Sequence, residues 1–333
     1  MKKIFISLLA IAALAACTKS EVQYEPAGKI SFAPLASTIT KAVAGVEGNT
    51  FPTDLNLYVF ANAQADNLSD AWPATYFSNA EFIYNRLDNG IYEGRTPRYW
   101  PNVKSLVFAG YSSACNIASV AKNSTMNFNT NTLTINGYTQ DNTKTEAGAN
   151  DLMWFPWDNE SYTKEDKQVP ALMKHACSWI TVKVLSDGHY SDLKLHDLTI
   201  NGLYKTGNAT CTATEATWVT SGEASAENLY TSVGEAVSTT ATVFENTTNN
   251  MVVLPQIPTS IDVKYSFVPE PGAAPISETK KGLDLKISDT LSENVWKSGT
   301  HYIYTITITA TEILIAPTVE TWNDVEVTPG TTI

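Results

Sequence analysis

Short runs of alternating apolar and polar residues, separated by turn residues every eight to twelve positions or so, predict an all-β protein of two tandem β-sandwich domains. Three observations carry that prediction. Thr, Asn, Ser, Val, Ile and Tyr are plentiful while charged residues make up only 17% of the chain, the usage of strands in an exported protein. No segment sustains a 3.6-residue apolar period through three turns. The length, 333 residues, exceeds one ordinary domain and suits two of about 150 residues each.

The first seventeen residues stand apart from this pattern. Lys2 and Lys3 precede a short apolar run from Ile4 to Ala16, which ends in Leu14-Ala15-Ala16-Cys17. A basic head, a brief apolar stretch and small residues before a cut make a secretory signal, too short to span a bilayer of roughly 30 Å as a helix. Cys17 makes it a lipoprotein signal, because only a thiol supplies the nucleophile for a thioether-linked lipid. The mature chain is expected to begin at Cys17 and to be held by acyl chains, each buried methylene contributing about 0.8 kcal/mol. Thr18 rather than Asp follows the cysteine, which favours the outer membrane. Residues 18–28 read as a polar tether.

Strand candidates then follow in order. Ile30 and Phe32 lie two apart and share one face of a strand. Leu55, Leu57 and Val59 mark the next run, and 106–111 another. Residues 126–135 form a hairpin around Asn129 to Asn131. Residues 179–184 alternate, and Ser186-Asp187-Gly188 breaks the pattern, placing the domain boundary near 186. This gives a signal peptide over 1–17, a first sandwich over 18–185 and a second over 186–333. The second half repeats the habit in runs at 193–195, 198–202, 251–255, 261–267 and 302–308.

The net charge of −12 repels phosphate backbones, so nucleic acid is excluded as a partner. Beyond Cys17 only Cys115, Cys177 and Cys211 remain, enough for one disulfide at most, and they read as buried free thiols. No nucleophile elbow, phosphate loop or zincin helix is present, so the chain is not expected to be an enzyme or to use a cofactor. His189 and His196, with Asp187, Asp192 and Asp197, form the densest polar cluster. Their odd spacing points the histidines to opposite faces of a regular strand, so no metal site is expected. His175, near Cys177 in an apolar run, reads as a core histidine. Tyr99-Trp100-Pro101 offers either an aromatic surface for sugar or a Trp closing a sandwich edge, and the second reading is favoured. Residues 151–157 are open between a glycan or partner loop and a lid on the core.

Several short marks share a common order. Ile30-Ser31-Phe32 precedes Thr40-Lys41-Ala42, Tyr99-Trp100-Pro101 precedes the run at 106–111, and His175-Ala176-Cys177-Ser178 precedes Ile180-Thr181-Val182. Leu254-Pro255-Gln256, Trp296 to Tyr302 and a last run from Ile313 to Trp322 follow. Together with the lipoprotein signal these resemble the fimbrillin family, the Mfa-like lipoprotein subunits of type V pili. The resemblance implies two tandem transthyretin-like β-sandwiches and a structural role in a cell-surface fimbria that supports adhesion. It implies other pilus subunits as partners and an outer membrane reached through the lipid anchor. It also implies assembly by strand exchange. A trypsin-like protease cuts after the first strand, and the groove left behind takes an extended segment of another subunit. Ile30 and Phe32 would then belong to a removable plug strand.

Here the chain departs from the family pattern. Between about 36 and 50 there is no arginine, and Lys41 is the only basic residue. Either processing is at Lys41, or the subunit stays uncut and lipidated as an anchor or accessory. Ile313, Ile315, Val319, Trp322, Val325 and Val327 form the candidate donor strand, which reads equally as the last strand of its own domain; Pro317 suits an edge in either case. The alternative function is a monomeric surface lipoprotein that binds glycan or host protein.

Overall fold

The computed structural model describes residues 28–36, 51, 53, 55–63, 74–85, 91–101, 105–112, 123–140, 151–166, 168–244, 252–290 and 293–321. Among them are twenty strands. The first ten are β1 (Ser31–Ala36), β2 (Leu57–Ala63), β3 (Ala74–Asn85), β4 (Ile91–Gly94), β5 (Leu106–Ser112), β6 (Thr125–Asn127), β7 (Thr132–Thr139), β8 (Met153–Phe155), β9 (Val169–His175) and β10 (Ser178–Ser186). The rest are β11 (Ser191–Leu203), β12 (Thr206–Cys211), β13 (Ala216–Ser221), β14 (Ser225–Ala236), β15 (Thr242–Val243), β16 (Val252–Val253), β17 (Ser260–Val268), β18 (Ile276–Asp284), β19 (Thr300–Ile308) and β20 (Ile313–Thr321).

The all-β expectation holds, but the architecture is richer than two sandwiches end to end. The first half closes into a hydrogen-bonded ring, β1-β4-β3-β2-β5-β8-β9, with β1 joining β9 in parallel. Its core gathers Phe32, Leu57, Val59, Phe82, Trp100, Phe108, Met153 and Phe155. The second half is a sandwich. One sheet runs β15-β10-β19-β20, with β16 also on β10, and the other runs β14-β11-β17-β18. Between them pack Ile180, Val182 and Val184 of β10, alternate residues of β11 and β17, and Tyr302, Tyr304 and Ile306 of β19. The buried Trp296 indole donates to Tyr304 Oη at 2.8 Å, and that hydroxyl donates to the Leu285 carbonyl at 2.7 Å. A network satisfied in this way fixes the sheet ends.

The break expected near 186 falls at the end of β10. β10 pairs in parallel with β19 along its whole length, from Ser178 opposite Thr300 to Ser186 opposite Ile308. Ser186-Asp187-Gly188 is therefore a turn inside the second sandwich, between β10 and β11. The change of core falls earlier, between β9 and β10. Periodicity marks where a strand ends; it does not say which sheet the strand joins.

A third sheet, β13-β12-β7-β6, belongs to both halves. β7 lies before the chain crosses over and β12 after it, and they pair from Leu133 opposite Cys211 to Thr139 opposite Thr206. At Gly137, with φ of +67°, the ladder bulges, and the Gly137 amide donates to Asn208 Oδ1 at 2.8 Å. This sheet covers a joint core in which Tyr58, Phe60, Val107, Ala109, Tyr111 and Trp154 meet Ala209, Cys211, Ala216 and Leu254. β2 and β5 are thus buried on both faces, one toward the barrel and one toward the joint. That accounts for the unbroken apolar run Leu106-Val107-Phe108-Ala109 where a one-sided strand would alternate. The thiols of Cys177 and Cys211 are buried here outside any disulfide, and burial pushes the Cys211 thiol up.

Gly110 sits where β2, β5 and β8 are closest. A Cβ there would lie 2.5 Å from the Tyr58 carbonyl oxygen and 2.6 Å from the Phe155 ring. Gly110→Ala is expected to lower stability by about 1–3 kcal/mol. A lowered urea midpoint at unchanged slope is the measurement, and an unchanged midpoint contradicts the packing described.

Candidate functional site at the β1 seam

β1 is the strand that closes the barrel, and its grip is uneven. Against β4 it pairs over two residues, Ser31 with Glu93 and Phe32 with Tyr92. Against β9 it pairs over five, from Phe32 opposite Val169 to Ala36 opposite Met173. Pro34 on β1 and Pro170 on β9 each lack an amide hydrogen, so the parallel ladder is short of donors. Ahead of β1 the backbone is pinned by three contacts. The Ile30 amide donates to Arg98 O at 2.8 Å, the Trp100 amide to Gly28 O at 3.1 Å, and Lys29 bridges to Tyr99. The Lys29–Glu93 ion pair at 3.6 Å is exposed and adds little.

Side chains hold the strand more firmly than its ladder does. Ile30 is 1% exposed and Phe32 is fully buried. The Phe32 ring meets Phe82 at 4.8 Å and Phe108 at 5.2 Å, both edge to face, and Phe155 at 6.1 Å. Edge-to-face pairs add about 0.5–1.5 kcal/mol beyond area burial. Without β1, a slot would open between β4 and β9, with two unpaired edges and an aromatic socket. Ile30 and Phe32 were legible as one face of a strand. The sleeve around Phe32 and the parallel partner β9 were not, because local periodicity carries no pairing information.

The other expected site residues fall in different places. Cys17, Lys41, Trp322, Val325 and Val327 lie outside the described residues. Ile313, Ile315 and Val319 are on β20, which pairs antiparallel with β19 along its whole length. Ile313 and Ile315 pack against the second core, whereas Leu314 is 50% and Val319 56% exposed. β20 is the sheet's edge, and Pro317 sits on it opposite Tyr304. Among the described residues β20 is the last strand, and it is paired within the second sandwich.

The histidines disperse. The His189 amide donates to Asp187 Oδ1 at 2.9 Å in the β10–β11 turn, and His196 Nε2 meets Ser266 Oγ at 2.8 Å. No group of three metal-ligating residues forms among the described residues. His175 is a core residue, as expected, with Nδ1 2.5 Å from Oδ2 of the buried Asp151. Trp100 is buried against Phe108 in the barrel, the favoured of its two readings. Residues 153–155 are the buried strand β8, and the exposed polar stretch begins at Asp158.

The edge strand β20 lies beside the titratable side chain of His301. His301 on β19 stacks on Trp179 at 3.5 Å, meets Thr181 Oγ1 through Nε2 at 2.9 Å and faces Glu320 of β20 at 3.6 Å. Burial, with help from the Lys183 charge, lowers its pKa to about 4.

A family model described as fimbrillin-like matches residues 40–322, beginning just after β1. Among solved structures, a fimbrial protein of Bacteroides vulgatus is 16% identical with a TM-score of 0.59, covering 89% of this chain and 100% of that one. That likeness shows a shared fold. A Bacteroides uniformis protein assigned to cell adhesion is 18% identical with a TM-score of 0.49, over 89% of this chain and 99% of the other. The tip fimbrial protein Mfa3 of Porphyromonas gingivalis, with C-terminal truncation, is 10% identical with a TM-score of 0.38, over 89% and 100%. No curated protein sequence matches the chain.

Two expectations follow from this geometry. Phe32→Ala removes a fully buried ring and is expected to cost about 3–5 kcal/mol in urea unfolding. Leu314→Ala on the exposed edge is expected to stay within about 0.5 kcal/mol. Equal effects would contradict the seam. The second concerns pH. The unfolded chain protonates His301 near its ordinary value of 6.5, the folded chain only near 4. The unfolded state therefore binds more protons between these values. The stability His301 contributes is complete above pH 6.5 and drains away as pH falls toward 4. A His301→Gln variant is expected to show a shallower fall in urea midpoint between pH 7 and 4.5 than the unaltered protein. Parallel curves refute the assignment.

Proposed function

Since this chain belongs to the fimbrillin-like family, we propose that it is a subunit of a cell-surface fimbria assembled by strand exchange, with β1 as the exchangeable plug. It is a structural protein and not an enzyme. The observation that supports strand exchange is the seam. β1 and the residue just before it close the barrel through two buried side chains, Phe32 and Ile30, on a ladder shortened by two prolines. A segment that supplies an apolar side chain to the Phe32 socket and main-chain groups to β4 and β9 would replace it.

In this reading Cys17 carries the lipid and the precursor reaches the outer membrane through it. The two halves are variants of the family's tandem transthyretin-like units. Partners are other subunits of the same fimbria, and the assembled fibre supports adhesion. The donor is the C-terminal segment, Ile313, Ile315 and Val319 with Trp322, Val325 and Val327. It would have to leave the β20 position before entering another subunit's slot. Lys41 is the processing residue if the plug is released. A subunit never cut there would stay lipidated and serve as an anchor or accessory.

The test pairs mass spectrometry of surface-extracted protein with limited trypsin treatment of the folded chain. The expected result is an acylated N-terminus at Cys17 before clipping, cleavage after Lys41, loss of the β1 peptide and growth of denaturant-resistant ladders in gels. Clipping that yields only a destabilised monomer, or resistance of Lys41, rejects the polymerising form and leaves the uncut anchor. An unmodified Cys17 rejects the lipid anchor.

A further inference from the structure

A cavity of about 260 Å³ lies where the loop after β8 folds over the outer side of β9. Trp157, Asp158, Asn159 and Tyr162 line it from the loop, and Leu172 and Lys174 line it from β9. Phe108 and Phe155 form the wall toward the barrel core, and Ala213 reaches it from the β12–β13 turn of the second half. Sites for small ligands favour such junctions.

The loop is built to hold its shape. Trp157 is tied to Asn131 in both directions: its amide donates to Asn131 Oδ1 at 3.1 Å, and Asn131 Nδ2 donates to the Trp157 carbonyl at 2.6 Å. The indole Nε1 donates to Glu160 O at 2.9 Å. Asp158 accepts from the Glu160 amide at 3.0 Å and from the Tyr162 hydroxyl at 2.6 Å, one bond on each oxygen. Tyr162 pairs with Leu106 through both backbone groups, at 2.7 and 2.8 Å, which anchors the loop to β5. Burial and the Asp158 carboxylate raise the Tyr162 phenol above its ordinary range, so it stays a neutral donor.

We propose that this cavity binds a single neutral pyranose ring, the terminal sugar of a glycan. Its chemistry selects the ligand. Trp157, Tyr162 and Leu172 offer apolar surface for the C–H face of a sugar. Each Asp158 oxygen keeps a lone pair for a ligand hydroxyl. Lys174 makes no ion pair among the described residues and is available to donate. A vicinal diol satisfies a carboxylate and an ammonium together. An anion would face Asp158 within a chain of net charge −12, and a cation would face Lys174. A purely apolar ligand would cover the Lys174 ammonium without a partner and leave the remaining Asp158 lone pairs unused. Size argues for one ring, because the cavity falls below the ~300–1,000 Å³ of drug-sized sites. A peptide adding as a strand would need a free edge here. β9 is paired on both sides, by β8 and by β1, so it offers none.

The inference goes beyond the fimbrial reading and does not depend on assembly. The experiment uses the intact mature chain as a monomer, with methyl β-D-glucopyranoside, methyl β-D-galactopyranoside, methyl α-D-mannopyranoside and N-acetylglucosamine as probes. Saturation-transfer NMR is expected to show at least one of them binding with Kd on the order of 1–10 mM, strongest at the ring C–H protons. Trp157→Ala and Lys174→Met are each expected to weaken that probe about tenfold or more. Leu314→Ala on the distant edge should leave binding unchanged. Near-ultraviolet circular dichroism checks the fold, and Lys174→Met, with its aliphatic stem kept, carries the result if Trp157→Ala unfolds. No saturable binding of any probe up to about 50 mM overturns the proposal. So does undiminished binding to folded Lys174→Met. Either failure leaves the fimbrial reading standing, since that reading is tested in ladders and not in monomer.

Discussion

The burial of Phe32 is the constraint on which the first half of the molecule rests. Its ring meets three others, Phe82, Phe108 and Phe155, contributed by β3, β5 and β8. These strands come from separate stretches of chain, and one side chain from β1 meets them all. The same β1 lies on β4 for only two residues and carries a proline opposite β9. Most of its hold is therefore non-directional apolar burial, which any well-shaped side chain can supply. Main-chain hydrogen bonds would demand the right register as well. A closure of this kind is strong and yet replaceable.

The joint core extends the consequences of that closure. Tyr58 and Phe60 of β2 and Val107 and Ala109 of β5 turn away from the barrel and pack against the second half. A strand buried on both faces transmits strain from one core to the other, because close-packed interiors do not absorb it. His175 and Asp151 are a buried polar pair close to this junction, near the change from β9 to β10. Gln256 braces the far side: its Oε1 accepts from the Tyr204 amide at 2.9 Å and its Nε2 donates to Leu254 O at 3.0 Å.

Much of this was readable from residue order. The alternation of β10, β17 and β19 marked true strands. The hairpin at Asn129 to Asn131 is the turn between β6 and β7, where Asn131 adopts φ of +46°. Ile30 and Phe32 share a buried face. The break at 186 shows where such reading stops. β10 looks the same whether it joins β9 or β19, since its own sequence specifies only which face is apolar. The sheet shared by β7 and β12 was hidden for the same reason, and so was the partner of β1. For the cavity, Trp157 and Asp158 were visible as residues, but the fold alone brings Lys174 and Ala213 beside them.

The pairing of β7 with β12 bears on how such proteins can diversify. Modules joined by a plain linker can be exchanged between relatives without further adjustment. Here a graft would have to preserve the bulge at Gly137, its hydrogen bond to Asn208, and the fit of Leu133 and Ile135 against Cys211 and Ala209. Variation is accordingly freer at loop tips and on outer edges such as β14 and β18 than across the middle. The two halves are bound to vary together along this sheet, although most of each core is its own.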